Sequence, residues 1–205
     1  MGHTSRLGAV VALALASPAY AEPPAVPSTA AVSGTAAVLR TTGQSQADVD
    51  WFHEFGVEKP KRDPVTGELP VAIYTQSDTN AGATPFAGSA MATAFGGQEG
   101  IRKIANRLVD IDTADPRVKG VFGASDLVRL RRTLYEQFCY ILNAGCHYSG
   151  RDMAQSHKQV GIMTGEMNAL VENLQRAMHE RHIPFATQNR FLAKLAPMKQ
   201  DVVRR

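Results

Sequence analysis

Apolar residues recur at helical spacing through most of the C-terminal half of the chain. In "GGQEGIRKIANRLVDI", Ile101, Ile104, Leu108 and Ile111 fall at steps of three, four and three, which places them on one helix face. The period breaks in "TADPRVKGVFG" and restarts in "SDLVRLRRTLYEQFCYIL". There Ser125 or Asp126 suits an N-cap, and Leu127, Leu130, Leu134, Phe138 and Ile141 share a face. Arg129, Arg131 and Arg132 fall mostly on the other face and read as solvated. A third stripe runs through Met167, Leu170, Val171, Leu174 and Met178 and ends before Pro184. A last one passes through Phe191, Leu192, Leu195 and Met198. Amphipathic helices in this order, with a long irregular glycine-containing loop after the second, predict an all-α fold.

The first part of the chain follows a different pattern. "MGHTSR", "LGAVVALALA" and "SPAYA" give a positive start, a short apolar run and small residues at Ala19 and Ala21, the layout of a signal peptide cut after Ala21. The apolar run is well short of the ~20 residues that span a bilayer. The expected mature protein is therefore periplasmic or secreted, with no transmembrane segment. Residues 22–43 are rich in Ala, Pro, Ser, Thr and Val without period and read as a linker. Beyond them, "DWFHEFGVEKP" suggests a short helix and "VAIYT" a short strand between turn signals. This stretch has too few apolar residues for a core of its own. It is expected to lie across the main domain or to dock an envelope protein or redox partner through residues 44–85. The predicted organisation is a signal peptide over 1–21, a linker and irregular extension over 22–85, and a helical domain over 86–205.

Charge and chemistry change this picture in only a few places. A formal net charge of +3, with no lysine- and arginine-rich block, gives no reason to infer a nucleic-acid partner. In an oxidising compartment, Cys139 and Cys146 suit a local disulfide tying a helix end to its loop. The segment "CHYSGRDMAQSHKQVGI" then delivers His157 just before the chain turns apolar at Val160 and Ile162. Such a histidine is either an ordinary loop residue or a ligand held over something buried. A metal site built from Cys139, Cys146, His147 and His157 has the spacing C-x6-C-H-x9-H, unlike the close ligand pairs zinc favours. His53, His179 and His182 read as peripheral, and His147 as a surface residue.

Three quoted segments carry a resemblance. "FGGQEGIRKI" is similar to the glycine pair and first long helix of group I truncated haemoglobins, "ADPRVKGVF" to their corner phenylalanine, and "YSGRDM", a histidine and "GI" to their central signature. The resemblance covers Ala94 to Val203 and implies a two-over-two globin sandwich with a mostly irregular N-terminal extension. It implies haem b (iron protoporphyrin IX) as cofactor, a diatomic gas (O2, NO or CO) as ligand, and His157 as the proximal ligand of the iron. Phe122, Tyr148, Met153, Ile162, Met167, Leu170 and Leu174 match haem-lining positions. Leu127, Leu130 and Leu134 match the distal-helix side, and Arg151 is placed to meet a propionate or to cap a helix. The family often carries a tyrosine thirteen residues before the corner phenylalanine and a glutamine on the distal helix. Here those positions are Val109 and Leu134, so the expected donors are aliphatic. Thr133 and Gln137 are the nearby polar substitutes. A polarised dioxygen without its donor loses ~1.5–3 kcal/mol per charge-assisted bond, so oxygen retention is expected to be weak, and CO or NO binding less affected. Catalysis would need a polar group over the reacting atom, and the sequence names none. The competing class is a helical interaction module of the cell envelope without haem.

Overall fold

A computed structural model of the protein describes Gly56 and residues 58–203. The expected signal peptide and linker, with Trp51 and His53, lie outside the described residues. The helices are α1 (Ala90–Ala94), α2 (Gly97–Ala114), α3 (Leu127–Ile141), α4 (Met153–His157), α5 (Thr164–Glu180), α6 (Phe185–Leu195) and α7 (Lys199–Val202). Short 3-10 turns at Asp78–Ala81, Lys119–Phe122 and Ala196–Met198 join them, and no strand occurs among the described residues. Nor is any described helix long and apolar enough to cross a membrane.

The long helices form where the apolar period is strongest. α2 packs on both α3 and α5, and α5 packs on α6. Ile101, Ile104, Leu108 and Ile111 are all buried along α2, as their spacing requires. Phe191 of α6 meets Phe95 and Phe138 edge to face, with ring centroids 5.2 and 5.1 Å apart. Of the two candidate caps of α3, Asp126 acts: its carboxylate accepts the Val128 N–H. Asp152 caps α4 by accepting the Gln155 N–H at 2.7 Å. Cys139 and Cys146 are joined as a disulfide, with their Cα atoms 5.6 Å apart. That bond takes both sulfurs away from the four-residue zinc set.

The extension lies across the helical domain, one of its two expected courses, but the expected strand does not form. "VAIYT" pairs with no strand; it runs as an irregular strap across the helices, anchored where the Tyr74 hydroxyl donates to Ser149 O at 2.9 Å. Its Ile73 side chain is fully exposed, so the apolar run marks no buried sheet face. Further along, Asp78 accepts the Tyr148 N–H at 2.7 Å, and Phe86 N–H donates to Ile141 O at 2.9 Å. Residues 58–85 are thus part of the compact unit, and Ala81 sits in its core.

The arginines of α3 are the second departure. Arg129 and Arg132 are not simply solvated: both pair with Glu68 of the extension, whose side chain is buried. Arg132 also reaches Glu136 at 2.9 Å. Arg62 and the Leu69 N–H close on the same Asp126 that caps α3, each at 2.7 Å. Only Arg131 keeps to its own side, pairing with Asp110 at 2.6 Å. The stretch after α3 is less irregular than expected too, because α4 forms within it.

Candidate functional site

A cavity of about 590 Å3 opens between α2, α3, α4, α5 and the last two helices. Its wall is mainly aliphatic, and several of its side chains are only half-buried, among them Leu130, Leu134, Met167, Leu170 and Val171. Apolar side chains left partly open in this way favour an apolar occupant, because covering them removes apolar surface from water.

His157 is the clearest chemical group in the wall. The α4 turn sets its ring so that Nδ1 lies 2.8 Å from Met153 O. A carbonyl only accepts, so Nδ1 carries a proton, and when the ring is neutral its lone pair is on Nε2. Nε2 has no protein partner among the described residues. This is the arrangement that fixes tautomer and orientation in a metal-ligating histidine. The preceding signature has a packing reason: a Cβ on Gly150 would lie 2.2 Å from the Tyr148 hydroxyl oxygen. Glycine there lets the Tyr148 ring fold back, bury itself in the wall and donate to Arg151 O at 2.9 Å.

Phe122, Leu130, Thr133, Leu134, Gln137, Tyr148, Met153, His157, Ile162, Met167, Leu170 and Leu174 all line this one cavity. Leu127, Val109 and Arg151 do not. Leu127 sits in the first turn of α3, half-buried and outside the wall. Val109 is fully buried, because α2 is rotated so that Leu108 and Asp112, one turn apart, face the cavity instead. Arg151 is engaged with the extension: Nη2 donates to Ala72 O at 2.9 Å and the guanidinium lies over the Tyr74 ring.

The two substitute donors are also committed. Thr133 Oγ1 donates back into its own helix, to Arg129 O at 3.0 Å. The Gln137 amide donates to Ala81 O at 2.9 Å and lies against the Met153 and Met198 sulfurs. The extension turn fits closely at that end: a Cβ on Gly82, whose φ is +81°, would come 2.5 Å from Met198 Sδ. Leu108, Val121, Phe138, Leu192, Leu195 and Met198 complete the apolar wall. Their stripes were visible in sequence, but the cavity edge was not. Asp112 had no signal at all, since it reads as a polar position between Ile111 and Thr113.

The family described as bacterial-like globin matches residues 91–204, more than half of the chain. The chain belongs to that family. Among its relatives is the group 1 truncated hemoglobin GlbN of Mycolicibacterium paratuberculosis, 24% identical over 108 residues, covering 53% of this chain and 79% of the relative. The group 1 truncated hemoglobin of Tetrahymena pyriformis is 24% identical over 90 residues, covering 44% and 74%. The solved Fe(III) form of the Tetrahymena pyriformis protein superposes with a TM-score of 0.54 at 21% identity, covering 56% of this chain and 98% of that one. The 2/2 hemoglobin of a Synechococcus species, solved in the cyanomet state with covalently attached heme, gives 0.52 at 18% identity, with the same two coverages. The described residues of this globin thus hold a truncated-globin fold, built of helices without strands. The extension before residue 91 falls outside the family match.

Proposed function

We propose that this globin holds haem b in the cavity through Nε2 of His157 and binds a diatomic gas in an apolar pocket. The donor set fits an iron porphyrin. One neutral imidazole with a free, oriented nitrogen stands in an aliphatic wall, in a cavity of about 590 Å3 that lies within the usual range for cofactor sites. When bound, haem supplies an iron coordination position that a small gas molecule takes. Met153 O fixes the His157 ring, and α4 holds that carbonyl in place. Leu130, Leu134, Leu170 and Leu174 exclude water from the pocket. Thr133 and Gln137, whose protons are already bonded to backbone carbonyls, give a bound gas little help. As far as these two residues go, oxygen retention is weak, with CO and NO binding less affected.

The disulfide supports an oxidising compartment, and with the N-terminal pattern it supports export after cleavage near Ala21. The observation that carries the functional reading is the 2.8 Å contact of His157 Nδ1 with Met153 O. His157→Ala is expected to abolish stoichiometric haem binding in a haemin titration, while far-UV circular dichroism stays helical. An unchanged haem spectrum in that variant would refute the assignment.

A further inference from the structure

An ionisable group is buried in the cavity wall. Asp112 is 3% exposed and lines the cavity from α2. Oδ1 accepts the Asn173 amide at 2.9 Å, while Oδ2 has no protein partner among the described residues. Arg129 Nε is the one fully buried side-chain N or O atom there without a partner, so Oδ2 keeps open surface, and the open space beside this residue is the cavity. A carboxylate with one lone hydrogen bond in an aliphatic wall is costly, whereas a carboxylic acid there is tolerable and becomes a donor.

We propose that Asp112, held by Asn173, is the cavity's hydrogen-bond donor, and that its O–H selects ligands presenting an acceptor or anionic atom, of the azide or nitrite class. Resting on the reading of the cavity as a haem site, the assignment gives that site a ligand preference that the aliphatic residues Val109 and Leu134 do not supply. The electrostatics agree with the geometry. Burial pushes the Asp112 carboxyl up to about 7, against the lowering effect of the Asn173 amide, and the neighbouring Asp115 carboxylate adds to the rise. Asp115 stays ionised, held well below its ordinary value by Arg117, which also reaches Glu172 of α5 at 2.6 Å. On α3, Arg131 is taken by Asp110. Within the cavity wall the remaining titratable groups are His157, Tyr148 and Lys199, and none of them bonds to Asp112. No cation therefore stands ready to neutralise an ionised Asp112. Below neutrality the acid donates from Oδ2; above it the carboxylate repels an acceptor.

Two measurements test this. In the haem-free chain, the 13Cγ resonance of Asp112, assigned with Asp112→Asn, is expected to titrate near pH 7. Titration in the ordinary carboxylate range would overturn the proposal whether or not haem binds. In the ferric haem-loaded chain, azide affinity is expected to fall about tenfold more between pH 6 and pH 8 in the wild type than in Asp112→Asn. The asparagine keeps the Asn173 bond and a donor but cannot ionise. Asp112→Leu is expected to lose the acid-side advantage, with CO affinity of the ferrous form changed less than twofold. Identical azide profiles in wild type and Asp112→Asn would overturn the role in ligand selection. Failure to take up haem would instead count against the haem site.

Discussion

Helix α3 has two faces that are held in different ways. Toward the cavity it presents Leu130, Thr133, Leu134 and Gln137, in a wall that leaves both leucines half-buried. Toward the extension it presents Asp126, Arg129, Arg132 and Glu136, held by Glu68, Arg62 and the Leu69 backbone. Ser149, on the loop after α3, closes the polar side by donating from both its N–H and its hydroxyl to Glu136. The contrast divides labour along a single helix. Packing on α2 and ion pairs with many partners fix where α3 sits, and the cavity side is left free to be shaped by whatever enters. A pocket wall that is not tightly packed on itself needs this anchoring, since loosely packed side chains contribute little to fixing a helix.

Breaking the polar face should have the largest effect. Glu68→Ala leaves two guanidinium groups without their shared carboxylate, and a broken, largely buried pair costs several kcal/mol at most sites. Because both arginines are partly exposed and Arg132 keeps Glu136, the expected loss is about 2–3 kcal/mol in urea unfolding. A loss under about 0.5 kcal/mol, the range of ordinary surface changes, would mean that the extension does not anchor α3.

The cavity side offers a subtler handle through pH. Asp112 binds its proton more tightly folded than unfolded, since burial raises it from 3.8 to about 7. The folded state therefore holds the extra proton between about pH 4 and 7. Stability is greatest at the acid end of that window, falls by up to ~1.4 kcal/mol per pH unit as pH rises, and levels off above it. Asp112→Asn should flatten this slope in denaturant midpoints measured across the window. The same slope in the variant would place its source elsewhere.

The smallest expected change lies on the cavity face. Leu134→Gln adds a donor where the wall is aliphatic and half-buried, with room for the longer amide. A net hydrogen bond of about 1–1.5 kcal/mol corresponds to roughly tenfold slower oxygen dissociation in stopped flow. An unchanged rate would show that position 134 does not reach the bound gas.

How much of this was legible follows from the range of the interactions. Ile101, Ile104 and Leu108 announced α2 because burial and the helical period coincide within about two turns of chain. Asp126 announced α3 because a cap acts over two residues. The cysteines lie seven residues apart across one helix end and were legible for the same reason. Glu68 with Arg129 and Arg132 was not, because some sixty residues separate partners that are ordinary surface types taken singly. "VAIYT" misled because its apolar run forms an exposed strap and not a paired strand. Counting from Phe122 located Val109 on the right turn of α2 but could not give the rotation of the helix, which turns Leu108 and Asp112 to the cavity. His157 was legible as a singular histidine before an apolar turn, while its tautomer depended on the Met153 carbonyl, which only the fold of α4 supplies.

The most direct test is an absorption titration of the purified chain with haemin, followed by reduction and exposure to CO. One haem per chain, with a sharp Soret band that shifts on CO addition, is the predicted result. A well-folded helical protein that gives no saturable Soret band would contradict the central claim and leave the cavity to some other apolar ligand.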